Sequence, residues 1–185
     1  MNRQWWIVGA LVGVIVGLIG VGWLMRDNFL PVEVGTQAPD FTARDLAGNP
    51  VSLGDLRGEV VLLNIWATWC PPCVEEMPSM QRLYEQLGPE GLKVVAVSID
   101  VASGARDASG NPGGNVAEFA REYGLTFDIW HDPSGAIQRT YRTTGVPESF
   151  VIDRSGFITR KVLSATEWDS PSSVESFRRL LRATE

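Results

Sequence analysis

The sequence predicts an α/β domain carried behind one membrane-spanning helix, and three observations predict it. The first is a pair of short β-branched apolar runs, residues 60–66 and 93–100, of the kind that buried parallel strands show. The second is the helix-like segment between them, residues 74–87, which makes the three a βαβ unit, expected to be right-handed. The third is residues 5–25, an uncharged run of 21 residues that is long enough, at about 1.5 Å per residue, to cross a hydrocarbon core. A chain of 185 residues holds one domain of ordinary size plus such an appendage.

In the apolar run, Trp5, Trp6 and Trp23 stand at the two ends, where an interfacial aromatic belt belongs. The run closes with Gly22-Trp23-Leu24-Met25-Arg26 and not with a small-x-small cleavage site, which favours an uncleaved anchor over a signal peptide. Arg3 and the amino terminus on one side, against Arg26 and Asp27 on the other, favour a cell-membrane protein with its N-terminus inside and its domain on the extracytoplasmic (periplasmic) side. Gly9, Gly13 and Gly17 recur every four residues, a spacing that lets two such helices approach closely. Residues 1–27 are therefore expected to be the anchor, 28–38 a linker of mixed polarity, and 39–185 the domain.

Charge narrows the partners. Residues 1–27 hold two arginines and one aspartate, so the remainder carries 14 basic and 21 acidic residues. Nucleic acid is excluded as a natural partner of so acidic a domain, and an anionic lipid surface would not hold it without the anchor.

The domain opens with a β-hairpin, because Phe41, Val51 and Leu53 flank an Ala-Gly-Asn-Pro turn. After the first buried strand comes the helix 74–87, with Pro78 inside it forcing a kink, and Gly88-Pro89-Glu90-Gly91 ends it. Residues 101–115, rich in Gly, Ser, Asp and Asn, read as a mobile surface loop and a tolerated insertion. A short helix 116–123, a strand 127–131, a helix 136–141, a hairpin built on 149–153 and 157–163, and an amphipathic helix 173–183 complete the chain. No internal repeat is apparent.

Both cysteines, Cys70 and Cys73, lie directly after the first strand. A Cys-x-x-Cys at a strand-to-helix turn puts the first thiol at a helix N-terminus, where backbone N–H groups and the macrodipole favour the thiolate. Cys70 is then the attacking sulfur and Cys73, one turn in, the resolving thiol. Glu76 lies one further turn on and can face back toward the thiols, whereas Glu75 reads as a solvated first-turn acid. Trp69 is expected in the apolar surface around the nucleophile and Trp66 in the core, and Glu148 is placed in the same groove. A structural zinc site needs four N/S ligands, which two Cys and His131 cannot supply, so no metal and no cofactor is expected.

The Trp66-x-x-Trp69-Cys70-x-x-Cys73 motif after a strand, Pro78 beyond it, and Gly145-Val146-Pro147 before a later strand resemble the thioredoxin superfamily, and within it the TlpA/ResA-like membrane-anchored thiol-disulfide oxidoreductases. The resemblance covers about residues 38–160. It implies a thioredoxin-like three-layer fold, a central mixed sheet with helices on both faces and an N-terminal hairpin. It also implies a cis Val146-Pro147 bond opposite Cys70, with the Val146 backbone offered as an edge for a substrate peptide, and a glutamate at the Glu76 position. Thioredoxin proper carries a buried aspartate where this chain has Asn64, which sets the chain apart from a general thioredoxin. The peroxiredoxin-like branch shares the opening hairpin, but a peroxidatic site needs Thr where Ala67 stands. The expected function is reduction of protein disulfides, with apocytochrome c haem-attachment cysteines implied as substrate and a membrane thiol-disulfide donor as electron source. A general disulfide oxidase or isomerase, and a tethered metal-chaperone or binding module, are the alternatives.

Overall fold

The computed structural model describes residues 2–24 and 32–183. The chain divides into two compact units, Met1–Pro31 and Val32–Glu185. The first contains helix α1, Asn2–Leu24. Counted over the described residues alone, no helix reaches the length and apolarity of a membrane span, and the expectations for residues 25–31 lie outside the described part.

The second unit is built on β1 (Thr42–Asp45), β2 (Pro50–Ser52), β3 (Val60–Trp66), α2 (Pro71–Leu87), β4 (Leu92–Ser98), α3 (Val116–Glu122), β5 (Asp128–His131), α4 (Ala136–Tyr141), β6 (Glu148–Ile152), β7 (Ile158–Val162) and α5 (Pro171–Arg182). Its seven strands form one sheet in the order β2-β1-β5-β4-β3-β6-β7. The β3–β4 and β4–β5 pairs are parallel, whereas β1–β2, β1–β5, β3–β6 and β6–β7 are antiparallel, so the sheet is mixed. All seven residues of β3 are buried, as a central strand covered on both faces requires.

Adjacent residues of β6 show that both faces are covered, since successive side chains of a strand point to opposite sides. Ser149 bonds toward Asn64 on the face where α2 and α5 pack. Phe150 faces the other way and meets the Tyr141 ring of α4, centroids 4.9 Å apart.

Three readings of the sequence are corrected. Helix α2 begins at Pro71 and not at residue 74, because prolines fit the first helical turn, where an N–H has no intrahelical partner. Pro78 lies inside this helix, leaving the Val74 carbonyl without its usual donor. Of the expected linker, residues 32–38 pack on the domain: Gly35 N donates to Ile158 O (2.8 Å), Ile158 N to Thr36 O (2.9 Å) and Ala38 N to Gly156 O (2.8 Å), with Val32 and Ala38 buried. Burial of those two apolar side chains holds the segment there.

The third correction concerns the Gly-rich loop, which is a built turn. Arg-Asp-x-x-Gly-Asn-Pro occurs twice, at 44–50 and 106–112. In both copies the aspartate accepts from the backbone two and four residues on, the asparagine side chain donates to it, and the arginine donates to the glycine carbonyl. Gly48 and Gly110 take φ of +87° and +86°, a conformation that favours glycine. The first copy turns the β1–β2 hairpin, and the second closes a small hairpin with an Arg106–Pro112 bridge.

Candidate redox site

The site forms where β3 ends and α2 begins. Cys70 is the N-cap of α2, and its Sγ accepts from the Cys73 backbone N–H at 3.2 Å. The two cysteines are joined as a disulfide. Cys70 is 4% exposed and Cys73 not at all, so Cys70 is the sulfur nearer to solvent.

On the β6 side, the Val146-Pro147 bond is cis and Cys70 Sγ lies 3.5 Å from the Val146 carbonyl oxygen. Antiparallel pairing of β6 with β3, in the register Ile65–Glu148 and Asn64–Ser149, brings this loop over the disulfide from 76 residues away in sequence. Trp69 and Val146 are half-buried against the core, while Pro147 is buried. Trp66 is wholly buried.

Glu76 is buried, and Glu75 beside it is exposed, as a helix of 3.6 residues per turn dictates. The Glu76 carboxylate is held by three donors: Asn64 Nδ2 on Oε1 at 2.7 Å, and Thr166 N and Trp168 Nε1 on Oε2, each at 3.1 Å. Asn64 Nδ2 also donates to Ser149 Oγ at 2.9 Å. Burial pushes the Glu76 carboxyl above the usual carboxylate range, and the hydrogen bonds from Trp168, Thr166 and Asn64 oppose that rise. A buried carboxyl raised in this way can hold or release a proton, and Glu76 stands one helical turn beyond Cys73 on α2.

Glu148 does not line the substrate groove. It is 2% exposed and points to the sheet face opposite Asn64 and Ser149, where Lys161 Nζ lies 3.5 Å from Oε1. β6 is flanked by β3 and β7, and Lys161 on β7 supplies the counter-charge to the buried side chain. Burial raises the Glu148 carboxyl, and the charge of Lys161 opposes it. Among the described residues no cluster of His, Cys, Asp and Glu could hold a metal ion.

Reading the sequence missed Thr166 and Trp168 as partners of Glu76, and Ser149 as the partner of Asn64. They come from β6 and from the segment before α5, 73 or more residues along, with no spacing to announce them. Asn64, noted only as a departure from thioredoxin, is the link between Glu76 and β6.

Known proteins agree with this geometry. The sequence model of the AhpC/TSA family matches residues 34–161. The chain is 35% identical over 170 residues to thiol-disulfide oxidoreductase ResA of Geobacillus thermodenitrificans, covering 90% of this chain and 91% of that one. It is 38% identical over 157 residues to thioredoxin-like protein YneN of Bacillus subtilis, covering 83% and 86%. Among solved structures, a thiol:disulfide interchange protein from Chlorobium tepidum superposes with a TM-score of 0.57 at 25% identity, covering 83% of this chain and 97% of that one. The thioredoxin domain of a thiol-disulfide oxidoreductase from Bacteroides vulgatus gives 0.63 at 25% identity, covering 78% and 97%. With a thioredoxin-like sheet, a Cys70–Cys73 pair and a family match over most of its length, the chain belongs to the AhpC/TSA family of thioredoxin-like proteins.

Proposed function

We propose that this chain is a membrane-anchored thiol-disulfide oxidoreductase that reduces disulfides of extracytoplasmic proteins, and that the haem-attachment cysteines of apocytochrome c are its substrate class. The observation that carries the redox reading is the Cys70–Cys73 disulfide at the N-terminus of α2, facing the Val146 carbonyl and backed by buried Glu76. Anchoring is supported by α1, whose described side chains from Leu11 to Val21 are apolar or glycine and all exposed. The flanking Arg3 supports the orientation.

In the forward direction the Cys70 thiolate attacks one sulfur of a substrate disulfide. A Cys70–substrate disulfide forms, and the other substrate sulfur leaves as thiolate and takes up a proton. Cys73 then loses its proton, for which Glu76 is the acceptor, and attacks Cys70 Sγ. The Cys70–Cys73 disulfide forms and the second substrate thiolate departs, so two electrons pass from the dithiol to the substrate. A substrate strand pairs with the Val146 backbone and rests on Trp69 while this happens. A membrane thiol-disulfide donor restores the dithiol.

The direction follows from the residues between the cysteines. Pro71 and Pro72 have no amide hydrogen and withhold donors that would stabilise a Cys70 thiolate, and the Glu76 carboxylate disfavours a second negative charge nearby. Strong oxidants of this superfamily owe their strength to a stabilised reduced form, so this couple belongs at the reducing end. Equilibration with glutathione and dithiothreitol buffers should place the potential nearer about −270 mV than about −120 mV. A value near the oxidising end would reject the reductant and leave the fold untouched. In the same chain Cys73→Ser should trap substrates on Cys70 as mixed disulfides, and Cys70→Ser should trap none.

A further inference from the structure

One buried acid near the redox pair has no part in the steps above. Asp100 follows β4, is wholly buried, and takes four hydrogen bonds on its two carboxylate oxygens. Oδ1 accepts from Thr68 Oγ1 (2.6 Å) and Gly114 N (2.9 Å), and Oδ2 from Thr68 N (2.9 Å) and Ser98 Oγ (2.8 Å). Its backbone carbonyl lies 2.7 Å from His131 Nε2. One carboxylate therefore gathers the ends of three elements: the turn after β3, the end of β4 and the base of the Gly-rich hairpin, with the end of β5 tied to its backbone.

Thr68 is the residue that matters most among these, because it opens the turn Thr68-Trp69-Cys70. That turn is otherwise closed by a bond from Cys70 N to Ala67 O at 3.2 Å. The thiolate-stabilising contact at Cys73 N depends on where this turn places the sulfur. From the hairpin side the fit is equally close. A Cβ added at Gly114 would overlap Thr68 Oγ1, and one added at Gly113 would overlap the carbonyls of Val101 and Ala102. The hairpin is itself braced across its base, Gly113 N donating to Ala105 O (2.8 Å) and Gly104 N to Gly113 O (3.3 Å). Sheet order sets β4 on one side of β3 and β6 on the other, so the loops that flank Cys70 are this hairpin and the Val146-Pro147 loop.

We propose that Asp100 is a positioning residue of the redox centre: through Thr68 it locks the Cys70 turn onto the base of the 101–114 hairpin, and the hairpin is thereby a fixed wall of the site. The proposal rests on the reading of Cys70 as the nucleophile and is independent of substrate and of the direction of electron flow.

The test is the rate at which iodoacetamide alkylates Cys70 in the reduced full-length chain in detergent at pH 7, read by peptide mass spectrometry, with the far-UV circular dichroism spectrum confirming the fold. Thr68→Val, which deletes the hydroxyl donor and keeps the shape, should lower the rate at least fivefold. Thr68→Ser, which keeps the donor, should stay within twofold of the parent. Gly114→Ala should lower the rate at least threefold from the hairpin side, and Asp100→Asn combined with Thr68→Val should be no slower than the slower single variant, because both cut one lock. A folded Thr68→Val or Asp100→Asn chain that alkylates within twofold of the parent overturns the proposal, whatever its melting temperature. A Thr68→Ser chain as slow as Thr68→Val overturns it too. Failure of the potential measurement above would leave these rates unaffected, so the two readings fall separately.

Discussion

Two buried glutamates, Glu76 and Glu148, stand on opposite faces of the sheet close to the same redox pair, and they are held in different ways. Both are raised by burial. Glu76 is met by an amide side chain, a backbone N–H and an indole N–H, all of them neutral. Glu148 is met by a cation, Lys161, which also reaches Val32 O (3.1 Å) and Glu33 Oε1 (3.3 Å). Neutral donors tolerate a protonated partner at modest cost, whereas a buried ion pair that loses one charge leaves the other stranded. Neutral partners leave Glu76 able to change its protonation state, which is what the proposed proton exchange with Cys73 requires, and Glu148 is a clamp between β6, β7 and the 32–38 segment.

The largest expected effect breaks the clamp. Lys161→Met should cost about 3–5 kcal/mol at pH 8 by leaving the buried Glu148 charged without its cation, seen as a lower midpoint in denaturant unfolding. The loss should be smaller at acidic pH, because Glu148, whose carboxyl burial raises, then takes up a proton and no charge is left unpaired. A uniform loss at both pH values would mean that packing of the lysine stem, and not its charge, is what β7 supplies.

A smaller effect should come from Glu76→Gln. A raised folded-state carboxyl favours folding in its protonated form, so its contribution is fully present below the ordinary carboxylate value near 4.5 and is lost as pH rises through the raised folded value. Gln cannot ionise, so the variant should gain on the parent as pH goes from 4 to 8. The buried Asn64 Oδ1 has no partner when Nδ2 faces Glu76, and rotating that amide lets it accept from the new Gln side chain. In stopped-flow experiments the second step, release of the mixed disulfide by Cys73, should lose its dependence on the Glu76 proton. A variant whose stability runs parallel to the parent at every pH would remove Glu76 from the titrating groups.

The smallest effect belongs to Glu75→Gln. Its side chain is exposed on the neighbouring helix position, so stability should stay within about 0.5 kcal/mol and the rate of mixed-disulfide release should be unchanged. Equal effects of both glutamine variants on that rate would reduce Glu76 to an ordinary helix-terminus charge.

Elements whose cause is local are legible in the chain alone. The wholly buried β3 and the inward Glu76 beside the outward Glu75 follow from an apolar run broken only by Asn64 and from 3.6 residues per turn. The Arg-Asp-x-x-Gly-Asn-Pro turn at 106–112 was equally legible, since each copy closes on its own side chains, yet glycine content pointed instead to a shapeless loop. The groups that surround Glu76 and Cys70 come together only through the packing of distant elements. Trp168 and Thr166 reach Glu76 from 92 and 90 residues away, Ser149 reaches Asn64 from 85, and Asp100 reaches Thr68 from 32. Periodicity tells which way a side chain faces on its own element, but a hydrogen bond between elements depends on strand order and register. Those are fixed by the packing of the whole sheet, and no single stretch of the chain records them.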